Sequence, residues 1–311
     1  MLFGFKPSEP IAGKRVLITG GSSGIGLATA ERLGLSGART ALLARGEEAL
    51  LQAAERVPGC DGVFVADAGD FEQLSAAVDE AASRLGGLDA IVAGAAALAY
   101  GPFLELTRED CERVISSTLL SGVNTAYAGI PHLTSSGGTL VFVASVAGRI
   151  PVPWLSAYAA SKHGLRGFAR SLACELHALR VPVRVALVNP GPIDTPIWRR
   201  ARTPDRRLPP EVTGAYRAED VAAEIELSIR GQGPMERTVG GLMAAWEMID
   251  ALMPNSALKA TAALARLGWR DREQRPPQDE DGLRQPLTEA HLSGGLRSRP
   301  SLLTRLRTLG L

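Results

Sequence analysis

This 311-residue chain contains few cysteines and few lysines, and its positive and negative charges nearly balance. The three cysteines, Cys60, Cys111 and Cys174, are far apart and show neither CxxC nor metal-ligand spacing. We therefore interpret them as reduced core residues of a cytoplasmic protein, and we expect no metal ion. The formal net charge is +1, so the overall charge indicates no nucleic-acid partner.

Long hydrophobic runs are missing as well. No stretch reaches the ~18 uncharged apolar residues that a membrane span needs. The apolar run at the N-terminus is too short for a signal peptide. The chain is nevertheless 45% hydrophobic, which is enough to bury a sizeable core. We therefore expect a cytoplasmic globular protein.

Short apolar runs alternate with amphipathic helical windows along most of the chain. The runs cover residues 15–19, 40–44, 62–66, 89–93, 139–145 and 183–189. Most are apolar throughout, as strands buried on both faces should be. This alternation predicts an α/β fold, a doubly wound parallel sheet of the Rossmann type with helices on both faces.

The pattern changes in the C-terminal third. A proline- and arginine-rich loop at 192–217 is expected above the sheet, near the substrate. A helix near 218–231 and a strand near 236–239 then complete the sheet. We predict a short arm at 1–11, one domain at 12–240 and a C-terminal extension at 241–311, helical to about 268 and mobile beyond.

A glycine-rich turn follows the first strand and opens the first helix, with the sequence Thr19-Gly-Gly-Ser-Ser-Gly-Ile-Gly26. Glycines let the backbone approach a pyrophosphate closely, and the helix N-terminus offers N–H groups and the positive end of its dipole. An ordinary strand–helix turn is the alternative. The α/β alternation on both sides favours a dinucleotide site.

The second strand ends in Ala44-Arg45-Gly46, and no acid follows until Glu47. A dinucleotide fold reads the adenosine ribose near this point, with an acid for the 2′-OH of NAD or an arginine for a 2′-phosphate. The planar guanidinium of Arg45 suits a phosphate, so we predict NADP(H) as cofactor. The alternative is an ordinary solvated arginine.

Tyr158 and Lys162 lie one turn apart on a predicted helix and share a face. Free tyrosine has a pKa near ~10, and a neighbouring ammonium stabilises the tyrosinate and lowers that pKa toward a useful range. Ser145 ends an apolar strand, where active sites of such folds form. Its hydroxyl can hydrogen-bond a substrate oxygen while Tyr158 transfers the proton.

These motifs make the sequence resemble the short-chain dehydrogenase/reductase family over residues 12 to about 240. The matching segments are TGGSSGIG, Asp67 in VFVADAGD, VASVAG around Ser145, YAASK, and NPGPIDTP from Asn189 to Pro196. The resemblance implies a seven-stranded sheet, with Tyr158 as acid/base and Ser145 orienting the substrate. It implies that Lys162 lowers the pKa of Tyr158 and binds the nicotinamide ribose.

The motifs and the resemblance together indicate the cofactor contacts. Asp67 is expected at the adenine, and residues 190–195 beside the nicotinamide. The full set is Gly20, Ser22, Ser23, Gly24, Ile25, Gly26, Arg45, Asp67, Ala68, Ala93, Gly94, Ala95, Tyr158, Lys162, Pro190, Gly191, Ile193 and Thr195.

Two departures from the family pattern stand out. Ala93-Gly94-Ala95-Ala96 replaces the usual Asn-Asn-Ala-Gly, and Thr118 stands where an asparagine usually holds a proton-relay water. We expect weaker support of the fourth strand and a hydrogen bond from Thr118 to the relay water. Slow turnover or an altered pH profile would follow.

The leading hypothesis is an NADP(H)-dependent oxidoreductase that interconverts a carbonyl and a secondary alcohol on a mainly apolar small molecule. The apolar pocket is predicted from Ala97, Leu98, Ile150, Val152, Trp154, Leu155 and Trp198. An anionic substrate group would instead meet Arg199, Arg200, Arg202, Arg206 and Arg207, although a solvated loop is favoured there. The alternative function is an NADP(H)-binding sensor or scaffold with little catalysis.

The resemblance also implies a homodimer in which the helices at 107–133 and 156–179 pair with their symmetry mates. Residues 241–268 are rich in methionine and alanine. They could anchor the protein on a membrane surface, but a helix that covers the core or a dimer surface is favoured.

Overall fold

The computed structural model describes residues 9–209, 214–270, 272 and 281–295. These residues form one seven-stranded sheet in the order β3-β2-β1-β4-β5-β6-β7, and all neighbouring strands run parallel. The strands are β1 (Arg15–Thr19), β2 (Arg39–Ala44), β3 (Cys60–Val65), β4 (Ala90–Ala93), β5 (Thr139–Val143), β6 (Arg184–Pro190) and β7 (Glu236–Val239). The predicted fold class is confirmed.

Helices follow most of the strands. They are α1 (Gly24–Leu35), α2 (Glu47–Arg56), α3 (Phe71–Leu85), α4 (Arg108–Ile115), α5 (Ser121–Thr134), α6 (Ser156–Ala178), α7 (Ala218–Ile229), α8 (Gly241–Leu252) and α9 (Pro254–Arg270). Alternate residues of the central strands face opposite layers, because side chains of a strand alternate in direction. Leu17 and Phe142 pack beneath α3, α5 and α6, whereas Ile18 and Val141 pack beneath α1, α2 and α7.

The strand order reverses direction between β1 and β4. Strands β2 and β3 lie on the outer side of β1, whereas β5, β6 and β7 lie on the outer side of β4. Loops that leave the carboxyl ends of β1 and β4 therefore diverge, and the crevice between them is where such sheets bind ligands. The reversal therefore places the candidate ligand site at the carboxyl ends of β1 and β4.

The predicted helix over 107–133 consists of three parts. Thr107 begins α4 with a capping box, in which its hydroxyl accepts from the Asp110 amide and the Asp110 carboxylate accepts from the Thr107 amide. A π-turn at Ser116–Leu120 then joins α4 to α5. A π-turn changes the angular register of the side chains on its two sides.

Residues 281–295 lie in the part of the chain that the sequence predicts to be mobile. This segment packs on the domain, with Leu283 and Ala290 only 2% and 8% exposed. Leu283 enters an apolar cluster with Ala97, Leu106 and Val114. Single apolar side chains thus help to hold this segment against the domain. The remaining part of the predicted mobile tail, and residues 1–8 of the arm, lie outside the described residues.

Other expectations concern the cysteines and the extension. Cys174 is exposed on α6, so it is not a core residue, and Cys60 and Cys111 are half-buried; all three are free thiols. The extension is helical, as predicted, and it breaks at Met253 into α8 and α9. In the described ranges, the helices are all too short or too polar to cross a membrane.

Candidate active site

A cavity of about 760 Å³ opens at the carboxyl ends of β1, β2, β4, β5 and β6. One end of it is walled by the glycine-rich turn, Arg45 and Asp67, and the other by aromatic and aliphatic side chains. Ser145, Tyr158 and Lys162 line the same cavity between these two ends. The structure thus brings the residues of the three sequence motifs into one site.

The glycine-rich turn has a shape that side chains would prevent. Gly20 has a φ of +72°, in the left-handed region that favours glycine. A Cβ on Gly26 would lie 2.1 Å from the carbonyl oxygen of Gly20. The turn therefore closes tightly against the first turn of α1, where Ile25 and Gly26 have no intrahelical acceptor for their amides. These residues and Ser22, Ser23 and Gly24 line the cavity, as predicted for a phosphate cradle.

Arg45 lies at the end of β2 and lines the cavity, but its guanidinium already has partners. It donates to the carbonyl of Gly282 at 2.7 Å and to that of Leu283 at 3.3 Å. Asp67 also lines the cavity, with its carboxylate accepting from the Gly69 amide at 2.9 Å. These contacts with the C-terminal segment leave Arg45 half-buried, unlike the solvated arginine that was the alternative to a phosphate contact.

The end of β4 has a support that the sequence motifs do not reveal. The Thr19 hydroxyl oxygen is 3.1 Å from the Gly94 amide and 3.4 Å from the Ala95 amide, and it accepts from them. Thr19 therefore supplies hydrogen bonds at a point where the family's asparagines are absent. Gly94 and Ala95 line the cavity, while Ala93 is buried within the strand behind them.

Ser145 and Tyr158 both line the cavity, and hydrogen bonding with the serine hydroxyl acts to lower the pKa of the tyrosine. Ser145 follows β5 and caps a short 3₁₀ turn, with its hydroxyl accepting from the Ala147 amide at 3.1 Å. Lys162 is one turn beyond Tyr158 on α6, and its Nζ is 5.5 Å from the centre of the tyrosine ring. The same Nζ donates to the carbonyl of Val143 at 2.8 Å. Strand β5 therefore fixes both the serine and the lysine.

The electrostatics of this group differ from the expectation. Burial raises the pKa of Tyr158 to about 12, and the hydrogen bond with Ser145 offsets this only in part. Burial lowers the pKa of Lys162 to about 7, because an ammonium loses its hydration there. The sequence predicts a lowered tyrosine pKa. The direction is opposite because desolvation outweighs the attraction of a lysine that is itself only partly charged.

Thr118 is not brought to the cavity. It is 1% exposed, and its hydroxyl pairs with the backbone of Ala97, accepting from the amide at 3.3 Å and donating to the carbonyl at 3.2 Å. Ser117 lines the cavity in its place. Thr118 and Ser117 both lie in the π-turn, whose side-chain directions differ from those of a regular α-helix.

The loop after β6 forms the next wall. Pro190, Gly191, Ile193 and Thr195 all line the cavity, as predicted. The Thr195 side chain lies against the glycine-rich turn, where a Cβ on Gly24 would be 3.1 Å from it. This loop therefore packs against the β1–α1 turn at the edge of the cavity.

The far end of the cavity is apolar. The seven residues predicted for the substrate pocket all line it, and Trp154 adopts a left-handed backbone with a φ of 68°. The ring centre of Trp154 is 4.6 Å from that of Trp269 on α9, which also stacks with Tyr100 at 6.0 Å. Residues that sequence reasoning missed also line the cavity, among them Trp246, Thr261, Leu264, Ala265, Gly282, Gln285 and Leu287.

The arginines of the 192–217 loop do not converge on this chamber. Arg200 lines the cavity, yet its guanidinium donates to the carbonyls of Gln285 and Pro286, both at 3.1 Å. Arg202 lies 3.5 Å from the carboxylate of Asp110. These two arginines hold the C-terminal segment and α4 together, which weakens the expectation of an anion-binding loop.

Comparison with known proteins places the chain in a family. Residues 14–206 match the family model described as short chain dehydrogenase. The Bacillus subtilis (strain 168) protein "Uncharacterized oxidoreductase YxnA" is 32% identical over 244 residues, which are 77% of this chain and 68% of that protein. The Xenopus tropicalis "Hydroxysteroid 11-beta-dehydrogenase 1-like protein" is 34% identical over 225 residues, 70% of this chain and 76% of that protein.

A solved structure agrees at the level of the fold. An alcohol dehydrogenase from the archaeon Thermococcus sibiricus, complexed with 5-hydroxy-NADP, has a TM-score of 0.63 at 22% identity, covering 73% of this chain and 95% of that one. The chain therefore belongs to the short-chain dehydrogenase/reductase family, whose members bind a nicotinamide cofactor, and it is an oxidoreductase.

Proposed function

We propose that this protein is an NADP(H)-dependent oxidoreductase that interconverts a carbonyl and a secondary alcohol on a mainly apolar small molecule. The observation that carries the proposal is the group of Ser145, Tyr158 and Lys162, with the lysine Nζ 5.5 Å from the centre of the tyrosine ring, in a cavity that joins a phosphate cradle to an aromatic chamber.

The cradle suits a dinucleotide. The backbone at Gly26 lies too close to Gly20 to admit a Cβ. No side chain of Gly26 therefore occupies the space beside the N-terminus of α1, where a pyrophosphate can bind. Arg45 lies where an adenosine 2′-phosphate would be read, and its charged donors favour NADP(H) over NAD(H). Lys162 would hold the nicotinamide ribose, and Asp67 the adenine. When bound, the nicotinamide donates or accepts the hydride.

Tyr158 and Ser145 perform the proton chemistry in this proposal. As a carbonyl is reduced, charge develops on its oxygen, which needs a proton and hydrogen bonds at that moment. Tyr158 is protonated at neutral pH because its pKa is about 12, so it can donate the proton through Oη. Ser145 gives the second hydrogen bond to the same oxygen. Alcohol oxidation runs these steps in reverse.

The chamber supports an apolar substrate of some size. Its wall is built from Trp154, Trp198, Trp246 and aliphatic side chains, and α8 and α9 extend it beyond the Rossmann domain. The Xenopus relative is named for a hydroxysteroid dehydrogenase, which is consistent with a rigid or long apolar molecule. Arg200 and Arg202 of the neighbouring loop are engaged elsewhere, which favours a neutral substrate.

A cofactor-binding sensor or scaffold is the second candidate. The observation in its favour is Thr118, whose hydroxyl pairs with Ala97 rather than with a water relay. Ser145, Tyr158 and Lys162 in one cavity favour the enzyme. A sensor would have no use for this complete catalytic group.

The test is a screen of apolar ketones and secondary alcohols with each dinucleotide, read at the nicotinamide absorbance. We expect turnover with NADP(H), and Tyr158→Phe should lower it by about 10²- to 10⁴-fold while cofactor binding persists. Binding of NADPH without turnover of any substrate would favour the sensor. A Tyr158→Phe variant that keeps most of the activity would refute the proposed chemistry.

A further inference from the structure

The segment 281–295, here called the strap, crosses the end of the cavity that faces Arg45. The Gly282 and Leu283 carbonyls both accept hydrogen bonds from the Arg45 guanidinium. Leu287 lies directly over Gly46, where an added Cβ would be only 2.1 Å from the Leu287 carbonyl oxygen. The strap is therefore in contact with the residue that the proposed function assigns to the 2′-phosphate.

The strap then reaches the phosphate cradle. The amide of Gly24, at the N-terminus of α1, donates to the carbonyl of His291 at 2.8 Å. Beyond it, Asp194 in the loop after β6 accepts from the Ser293 hydroxyl at 2.6 Å and from the Gly294 amide at 2.9 Å. The strap thus bridges the two loops between which the cavity opens.

Further contacts anchor the strap away from the cavity. The Gln52 side chain on α2 donates to the Thr288 carbonyl at 3.3 Å and accepts from the Ala290 amide at 3.1 Å. At the other end, Arg284 donates to the buried carboxylate of Asp110 at 2.6 Å. Most of these anchors are hydrogen bonds and ion pairs, so the strap can open locally without unfolding the domain.

The strap encloses the cavity without filling it. Gly282, Gln285 and Leu287 are part of the cavity wall, and the space from the glycine-rich turn to Tyr158 remains continuous. An arginine carries five N–H donors. The two hydrogen bonds to the strap therefore leave Arg45 able to donate to a phosphate as well.

We propose that the strap is part of the cofactor site and retains the adenosine end of the dinucleotide. Arg45 bridges the strap carbonyls and the 2′-phosphate, so release of the cofactor requires the strap to lift from α2 and from the loop after β6. The proposal rests on the proposed function, because it assumes that a dinucleotide binds here. It adds residues of the C-terminal extension to the site, where the sequence motifs place none.

The experiment measures the dissociation rate of NADPH from the full-length protein by stopped-flow fluorescence. Gln52→Ala removes two anchors on α2, and Gly294→Ala forces a Cβ to within 2.4 Å of the Thr195 carbonyl oxygen. We expect dissociation to be about 3- to 10-fold faster in Gln52→Ala and about tenfold or more faster in Gly294→Ala.

Matched control variants distinguish an effect of the strap on NADPH dissociation from a general loss of protein stability. Glu55→Ala changes an exposed residue of the same helix, and Gly167→Ala adds a Cβ that meets nothing within 4 Å. Both should leave the rate unchanged, and melting temperatures check the fold of every variant. Unchanged dissociation in both strap variants overturns the strap proposal alone, as does tighter NADPH binding, which would mean that the strap blocks the site. A wild-type protein that binds neither dinucleotide overturns the proposed function and the strap with it.

Discussion

The Nζ atom of Lys162 donates to the Val143 carbonyl at 2.8 Å while lying 5.5 Å from the centre of the Tyr158 ring. The lysine is 2% exposed, so its charge is carried in a poorly solvated place. This arrangement separates the two pKa values further than the sequence suggests. Tyr158 stays protonated up to high pH, and Lys162 titrates near neutrality.

The first prediction concerns the pH dependence of the two reaction directions. A tyrosine pKa of about 12 means that the proton donor for reduction is present throughout the neutral range, whereas oxidation needs the scarce tyrosinate. Between pH ~7 and ~9 we expect kcat/KM for alcohol oxidation to rise about tenfold per pH unit. Over the same range kcat/KM for carbonyl reduction should stay nearly constant. Initial rates in both directions measure this. A flat oxidation profile would mean that cofactor or substrate lowers the tyrosine pKa strongly.

The second prediction is that Lys162→Met stabilises the protein at neutral pH. Burial lowers the lysine pKa from 10.5 to about 7, so between these values the folded state binds fewer protons than the unfolded state. Stability from this group is therefore fully present above pH ~10.5 and is lost as pH falls toward ~7. A tenfold difference in proton affinity between the two states corresponds to ~1.4 kcal/mol. After allowing for the lost hydrogen bond to Val143, we expect a gain of ~2–3 kcal/mol at pH ~7.

Chemical denaturation at pH ~7 and pH ~10 tests the lysine prediction. The advantage of Lys162→Met over wild type should shrink at the higher pH, because there the wild-type lysine is largely neutral in the folded state and approaches neutrality in the unfolded state. Lys259→Met, at an exposed position on α9, is the control and should show no such pH-dependent difference. A Lys162→Met variant that is less stable than wild type at both pH values would contradict the lowered pKa.

The third prediction concerns cofactor choice. Arg45→Ala should weaken NADPH binding by ~1.5–3 kcal/mol, because a charge-assisted phosphate contact is lost. NADH should lose less, since only the two hydrogen bonds to the strap disappear. Titration of both dinucleotides measures the difference, and Arg39→Ala at the exposed start of β2 serves as control. Equal or tighter binding of NADH by the wild type would contradict the preference for NADP(H).

The fold could be predicted from the sequence because buried parallel strands have a simple pattern. All five residues of β5 are buried, and its run of apolar residues is visible in the sequence. The strap had no such pattern. Its contacts with Arg45 and Gly24 are made by backbone carbonyls, which every residue carries, so no residue type marks them.

The site was predictable to the extent that spacing determines it. Tyr158 and Lys162 share a helix face because they are four residues apart, and Ser145 is adjacent because it follows the buried strand β5. Thr118 was expected to bind a relay water, but its hydroxyl pairs with the Ala97 backbone within the π-turn region, which the sequence does not reveal. The direction in which the Tyr158 pKa moves depends on how deeply Lys162 is buried, which is a property of the tertiary structure.

The last prediction is a homodimer formed through α4, α5 and α6. The α4–α5 layer exposes apolar side chains that a partner would cover, with Tyr127 74%, Leu120 44% and Ile115 36% exposed. Tyr127→Glu would place a charge in that interface at high desolvation cost, so light scattering should show a dimer for wild type and a monomer for the variant. Leu35→Glu is the control, because Leu35 is 79% exposed but ends α1 on the opposite face of the sheet. A wild-type protein that stays monomeric at micromolar concentration, or a Tyr127→Glu variant that stays dimeric, would contradict this interface.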